Sequence, residues 1–268
     1  MIPTLPARQF KALFIPLVFL IVSCGGDGGA SLRVFAASSL TEAFKELAVA
    51  FEVENPGVEL ELDFGGSQRL RTQLGFGAKA GVFASADSVQ MDVLVAAGLV
   101  SGIPADFASN ALVVVAMSNG PVTTISDLGK PGIRLVLGQE SVPVGAYSRQ
   151  VLENLSREAG LGLGSGFKVD VLANLVSGEP NVSFAFQKVA LGEVDAGIVY
   201  ETEIIAASET GAKGVIFIPI PAAANVSIRY SIAVLGDASE PELAHAFVEF
   251  VFSEAGQRIF GAHGFSSP

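Results

Sequence analysis

Positive charge, cysteine and histidine are all scarce in this 268-residue chain. It has 16 basic residues against 27 acidic ones, a single cysteine (Cys24) and two histidines (His245 and His263). Each shortage excludes something. One cysteine cannot close an internal disulfide, and it is too solitary for a thiolate metal site. The histidines lie in the C-terminal segment without a His-x-x-x-His spacing, so they read as solvated or capping groups and no bound metal cation is expected. With no basic stretch and a formal charge of −11, nucleic acid is not an expected partner. Enzyme motifs are missing as well. No Gly-x-x-x-x-Gly-Lys-Ser/Thr occurs, and the Gly-x-Ser-x-Gly pattern fails at Ser67, where Arg69 follows, and at Ser165, where Leu163 precedes. With no nucleophile–base pair in view, neither catalysis nor a cofactor is expected.

Long hydrophobic runs are also absent. "ALFIPLVFLIV", residues 12–22, falls short of the roughly 20 residues that span a bilayer, and with Arg8 and Lys11 ahead of it reads as a signal-peptide core. It runs into "IVSC", which resembles the lipobox of bacterial lipoproteins. That resemblance implies cleavage after residue 23, a lipid on the Cys24 sulfur and a protein held on the outer side of a bacterial membrane. Residues 24–31, rich in glycine, read as a tether.

From Leu32 onward strand-like and helix-like stretches alternate, which argues for an α/β fold with mostly parallel sheets and flanking helices. "LRVFAA" is followed by a helix from Ser39 to about Val53. "VELELDF" precedes "GGSQRLRTQL", "GVFASAD" precedes "SVQMDVLVAAGLV", and "NALVVVAM" is a strongly apolar strand. A second round follows: strand "IRLVLG", helix "PVGAYSRQVLENLSREAG", a glycine-rich loop "GLGLGSGF", strand "FKVDVLA", helix "VSFAFQKVALGE", strands "DAGIVYE", "GVIFIPI" and "VSIRYSIAVL", and a helical tail. The expected organisation is two lobes joined by a hinge, residues 31–112 with 228–268 and residues 113–227. The C-terminal stretch is too short and too helical for a domain of its own.

Where a strand runs into a helix, four corners share a chemistry. Ser39 with Glu42 has the spacing of a capping box, yet a serine hydroxyl beside free N–H groups at a helix start also suits an anion; that corner alone leaves both readings open. Ser67 follows two glycines. Pro143 suits a first helical turn, and Gly145 permits close backbone approach. Asn181 is a natural cap. Four such corners at the carboxyl ends of strands suggest one shared cleft.

The stretches "VFAASSLTEAF", "FGGSQRLRTQL", "VFASADSVQMDVLVAAGLV", "VPVGAYSRQVL" and "NVSFAFQKVALGEVDAGIVY" resemble the substrate-binding component of bacterial ABC-type molybdate importers over residues 31–268. The resemblance implies a two-lobed, type II-like periplasmic-binding-protein fold. It implies molybdate or tungstate as ligand, an inner-membrane ABC permease as partner and a monomer. The oxyanion would be held without a cationic side chain by the hydroxyls of Ser39, Ser67 and Tyr200 and the backbone N–H groups of Val144 and Val182. Sulfate, or an exported non-transport role on the same fold, are the alternatives. Some positions depart from the family's habit: Lys79 and Gly81 stand where Pro and Asp are common, Gly65 and Gly66 where hydroxyl residues are frequent, and Ser183 where many members carry arginine. Arg69 is expected on a solvated helix face.

Overall fold

The computed structural model describes residues 29–209, 211 and 213–268. The expected signal peptide and Cys24 lie outside them. Among the described residues no helix is long and apolar enough to cross a membrane.

Two five-stranded sheets make up the fold. The first is built from β1 (Ala30–Ala37), β2 (Val58–Gly65), β3 (Val82–Ser85), β4 (Val100–Asn110) and β10 (Ile228–Leu235), in the order β2-β1-β3-β10-β4. The second contains β5 (Leu112–Met117), β6 (Leu135–Gly138), β7 (Leu175–Glu179), β8 (Ala196–Tyr200) and β9 (Val215–Pro219), in the order β7-β6-β8-β5-β9. The β2-β1-β3 and β7-β6-β8 portions are parallel, as the strand–helix alternation requires. The mostly parallel expectation stops there. β10 runs antiparallel to β3 and β4, and β5 antiparallel to β8 and β9, because these strands carry the chain from one sheet to the other.

Side-chain alternation along β1 explains how its sheet is covered on both faces. Val34 and Ala36 enter a core with α1 (Thr41–Glu54), α8 (Pro241–Phe252) and α9 (Glu254–Ala262), where Phe44, Phe51, Phe107, Phe247 and Phe260 meet largely edge to face. Phe35 points the other way, onto Leu70 and Leu74 of α2 (Ser67–Gly75) and Met91 and Leu94 of α3 (Ser88–Ala96). In the second sheet, α4 (Pro143–Arg157) packs on β6, and α6 (Val182–Ala190) packs on β5, β6 and β8. The remaining helices are α5 (Phe167–Ala173) and α7 (Glu203–Glu209).

Several expectations are corrected. β1 begins at Ala30, pairing with Val58, so the last two residues of the expected tether are strand. "FKVDVLA" is α5, not a strand: Phe167 and Val171, four residues apart, are its buried positions, so the alternation of Val169 and Val171 carried no sheet face. The strand of that region is β7, which starts at Leu175, eight residues past the end of the glycine-rich loop at Phe167. β4 went unread because Gly102 and Pro104 interrupt it; proline is tolerated there because β4 is the sheet's edge.

The chain passes between the sheets at Asn110–Leu112 and again between Pro219 and Ile228. Asn225 ties the two passages together. Its Oδ1 accepts from the Leu112 N–H at 3.1 Å, and its Nδ2 donates to the Leu112 carbonyl at 2.8 Å.

Candidate anion-binding site

A cavity of about 10 Å³ lies between the carboxyl ends of the two sheets. Ser39, Ser67, Val144, Val182 and Tyr200, which the sequence places 161 residues apart from first to last, all line it. The fold brings them together because each follows or ends a strand: Ser39 after β1, Ser67 after β2, Val144 after β6, Val182 after β7 and Tyr200 at the end of β8.

Helix starts supply most of the wall. Ser67 is the first residue of α2, Val182 the first of α6, and Val144 the second of α4 behind Pro143. First-turn N–H groups have no intrahelical partner, and each helix presents the positive end of its dipole there. At α6 the Asn181 side chain accepts from the Phe184 N–H at 3.0 Å, the cap expected from sequence, so that cap does not occupy the N–H of Val182, which lines the cavity. At α4, Gly145 is needed for approach: a Cβ there would fall within the carbonyls of Gly138 and Gln139.

The serines differ from expectation in one respect. Ser39 caps no helix. It sits inside a 3-10 turn, Ser38–Leu40, and α1 starts two residues later, at Thr41, with no side-chain cap. The capping-box reading therefore fails, and Glu42 pairs instead with Lys45 at 2.9 Å. The Ser39 hydroxyl meets the Tyr230 hydroxyl at 3.0 Å. Ser67 is fully buried, and its oxygen accepts the Ala86 N–H at 3.1 Å, so its own proton is left to donate.

Tyr200 is 2% exposed, and burial raises its phenol well above the ordinary value, so it stays a proton donor. No hydrogen-bond partner for its hydroxyl occurs among the described residues, and its ring meets Tyr230 edge-on at 6.0 Å. No lysine or arginine lines the cavity among the described residues. Arg69 lies over β2, donating to the Phe64 carbonyl at 2.9 Å, with its guanidinium filling the space a Cβ at Gly65 would need. That accounts for Gly65. Gly66 is likewise tight, since a Cβ there would meet the Pro180 carbonyl of the other sheet's connections. Gln68 bridges the same gap, Nε2 to the Pro180 carbonyl at 3.0 Å. Lys79 pairs with Asp237 at 2.5 Å, outside the cavity wall.

Two buried acids stand close by. Asp87 caps α3 through the Gln90 N–H at 2.9 Å, and burial pushes its carboxyl up from the usual range. Glu203, 8% exposed at the start of α7, is pushed up to about 7 by burial alone. It lines a groove of about 500 Å³ beside the cavity, together with Ser39, Ser183 and His263. His263 bonds Glu46 at 2.9 Å, a partner that no sequence spacing revealed. Sequence reasoning also missed Glu203, Asn110 and Tyr230. The signal for Tyr230 was available: a phenol inside an apolar strand must find a hydrogen-bond partner.

The hydroxyls of Ser39, Ser67 and Tyr200 and the helix starts at Val144 and Val182 all line the cavity, and each is a group able to donate. Such an arrangement suits a small, fully deprotonated oxyanion, whose oxygens only accept.

Residues 32–266 match a family described as bacterial extracellular solute-binding protein. The molybdate-binding protein ModA of Mycobacterium tuberculosis (strain H37Rv) is 38% identical over 265 residues, covering 94% of this chain and 95% of that protein. Among solved structures, the substrate-binding domain of a putative molybdenum ABC transporter from Clostridium difficile is 27% identical with a TM-score of 0.65, covering 89% of this chain and 99% of that one. The sulfate-binding protein SubI of M. tuberculosis H37Rv superposes with a TM-score of 0.75 at 20% identity, covering 89% of this chain and 87% of that one; it shares the fold.

Proposed function

The chain belongs to the bacterial extracellular solute-binding protein family, and from that premise we propose that it captures molybdate outside the cytoplasm and delivers it to an ABC-type permease. The observation that carries this reading is the convergence of Ser39, Ser67, Val144, Val182 and Tyr200 on one cavity with no cationic side chain in its wall. The M. tuberculosis relative named for molybdate, alike over nearly the whole chain, supports that choice of oxyanion.

In this reading the serine and tyrosine hydroxyls and the N–H groups of Val144 and Val182 hold the four oxygens. The helix dipoles of α2, α4 and α6 oppose the charge. A dianion held by donors alone needs no acceptor from the protein. Hydrogen phosphate carries a proton that must itself be satisfied, so it is disfavoured. Tungstate, with the same charge and shape, binds alike, and sulfate is separated by its smaller size. The protein performs no catalysis.

Residues 31–112 with 228–268 form one lobe and residues 113–227 the other. They close over the anion about the passages at Ala111 and Asn225, and the permease reads the closed form. Lipid on Cys24 tethers a monomer to the membrane beside that permease.

Calorimetric titration with molybdate tests the reading: one anion bound per chain is expected, with affinity lowered roughly tenfold or more in Ser67→Ala, since a hydrogen bond to a charged group contributes about 1.5–3 kcal/mol. No binding by the wild type, or an unchanged affinity in the variant, refutes it.

A further inference from the structure

Resting on the molybdate reading, we propose that Tyr230 and Asn110 are positioning residues that fix the Ser39 hydroxyl as a one-way donor toward the anion. Neither residue lines the cavity. Both are buried, Tyr230 on β10 and Asn110 at the end of β4, beside the passage between the sheets.

The direction of the hydrogen bonds follows from the one group in the chain that has no choice. The backbone N–H of Ala111 can only donate, and it points at Asn110 Oδ1 from 2.9 Å. The Asn110 side-chain oxygen is therefore fixed on that side, and its NH2 faces the other way. One of its hydrogens goes to Thr202 Oγ1 at 3.0 Å and the other to Tyr230 Oη at 3.4 Å. An amide NH2 only donates, so Tyr230 Oη accepts there and spends its own proton on the remaining neighbour, Ser39 Oγ at 3.0 Å. Ser39 Oγ thus accepts from the phenol, and its proton is left for the cavity. Chains of hydrogen bonds polarise one another in the same sense, so a hydroxyl that already accepts is the better donor.

Packing holds the phenol in place. The Tyr230 ring meets Phe107 at 6.2 Å, Tyr200 at 6.0 Å and Phe265 at 5.3 Å, all steeply inclined. Ser67 reaches the same condition by a shorter route, its oxygen taken by the Ala86 N–H. Both serines therefore have a donor behind them, the Ala86 N–H at Ser67 and, at Ser39, the Tyr230 phenol, whose proton has only Ser39 left to go to. At Ser39 that donor is a side chain, anchored to the strand through which the chain leaves the first sheet.

A double-mutant cycle on the full chain separates positioning from packing. Wild type, Tyr230→Phe, Ser39→Ala and the double variant are titrated with molybdate, and each is also unfolded thermally without any anion. Tyr230→Phe is expected to weaken molybdate binding roughly tenfold when Ser39 is present. In the Ser39→Ala background the same change is expected to alter affinity less than twofold. The anion-free unfolding shifts should likewise be non-additive, because the two residues share one hydrogen bond. An equal loss of affinity in both backgrounds would mean that Tyr230 only packs the site, and no loss in either would mean that Ser39 needs no orienting; both overturn the proposal. If the wild type fails to bind molybdate, the proposed function falls by itself. The unfolding cycle then still decides, since additive shifts would remove the Ser39–Tyr230 link.

Discussion

Glu203 is a carboxyl group in surroundings that disfavour its charge. At the start of α7 and 8% exposed, it is held at about 7 by burial, with no compensating partner among the described residues. The consequence for stability has a definite sign. Between the ordinary value of 4.5 and about 7 the folded chain keeps a proton that the unfolded chain has released. Stability therefore falls as pH rises through that window and levels off above it, by about 3 kcal/mol at most. Glu203→Gln should abolish this contribution and unfold at a higher temperature than wild type at pH 8, with little difference at pH 4. Equal melting temperatures of the two proteins at both pH values would contradict the assignment. Residue by residue, the strand–helix corners at Ser39, Ser67, Pro143 and Asn181 were legible because their motifs are local, whereas Val144, Val182 and Tyr200 were expected as donors from the family resemblance alone. Glu203, Tyr230 and Asn110 were not legible, because their roles depend on neighbours that are remote in sequence: Asn110 lies 120 residues from Tyr230 and 92 from Thr202.

The elements follow the same division. Strands buried along all or nearly all of their length, β3, β5, β6 and β8, announce themselves as apolar runs, and α1 and α4 as apolar stripes. Short or interrupted elements do not: α5 has seven residues, and β4 contains Gly102 and Pro104. The start of α4 shows how closely an element must be set to do its work. Replacing glycine by alanine inside a helix ordinarily gains about 0.5–1 kcal/mol. At Gly145 the added Cβ collides with the carbonyls of Gly138 and Gln139, so α4 must withdraw from β6 and take the Val144 N–H with it. Gly145→Ala is expected to lower the denaturant midpoint by the equivalent of about 1–3 kcal/mol and to weaken anion binding as well. A stabilised variant of unchanged affinity would show that helix propensity, not approach, governs the position.

At the scale of the whole molecule, an acidic protein that holds an anion ceases to be a contradiction. The formal charge of −11 is spread over the chain, whereas the cavity is walled by hydroxyls and helix starts. Neutral donors fixed in a buried wall act at close range, and exposed carboxylates farther than about a Debye length, roughly 8 Å in physiological salt, are screened. The two-sheet architecture makes the wall possible, since each sheet contributes strand ends to one side of it, and Asn225 holds the two passages between the sheets in register. Two sheets of mixed direction were only half legible in the sequence: the parallel portions follow from strand–helix alternation, and residues 228–268 were expected beside 31–112, but the antiparallel place of β10 between β3 and β4 leaves no local pattern.

The claim that these parts form a site for a deprotonated tetrahedral dianion is tested most directly by thermal unfolding of a residue 25–268 protein at pH 7.5 with molybdate, tungstate, sulfate and phosphate in parallel. At 100 times the dissociation constant a bound ligand stabilises by about 2.7 kcal/mol, roughly 5–11 °C for a chain of this size. The account predicts shifts of that order with molybdate and tungstate and none with phosphate or sulfate at the same concentration. A phosphate shift equal to that of molybdate, or no shift with molybdate at millimolar concentration, would contradict it.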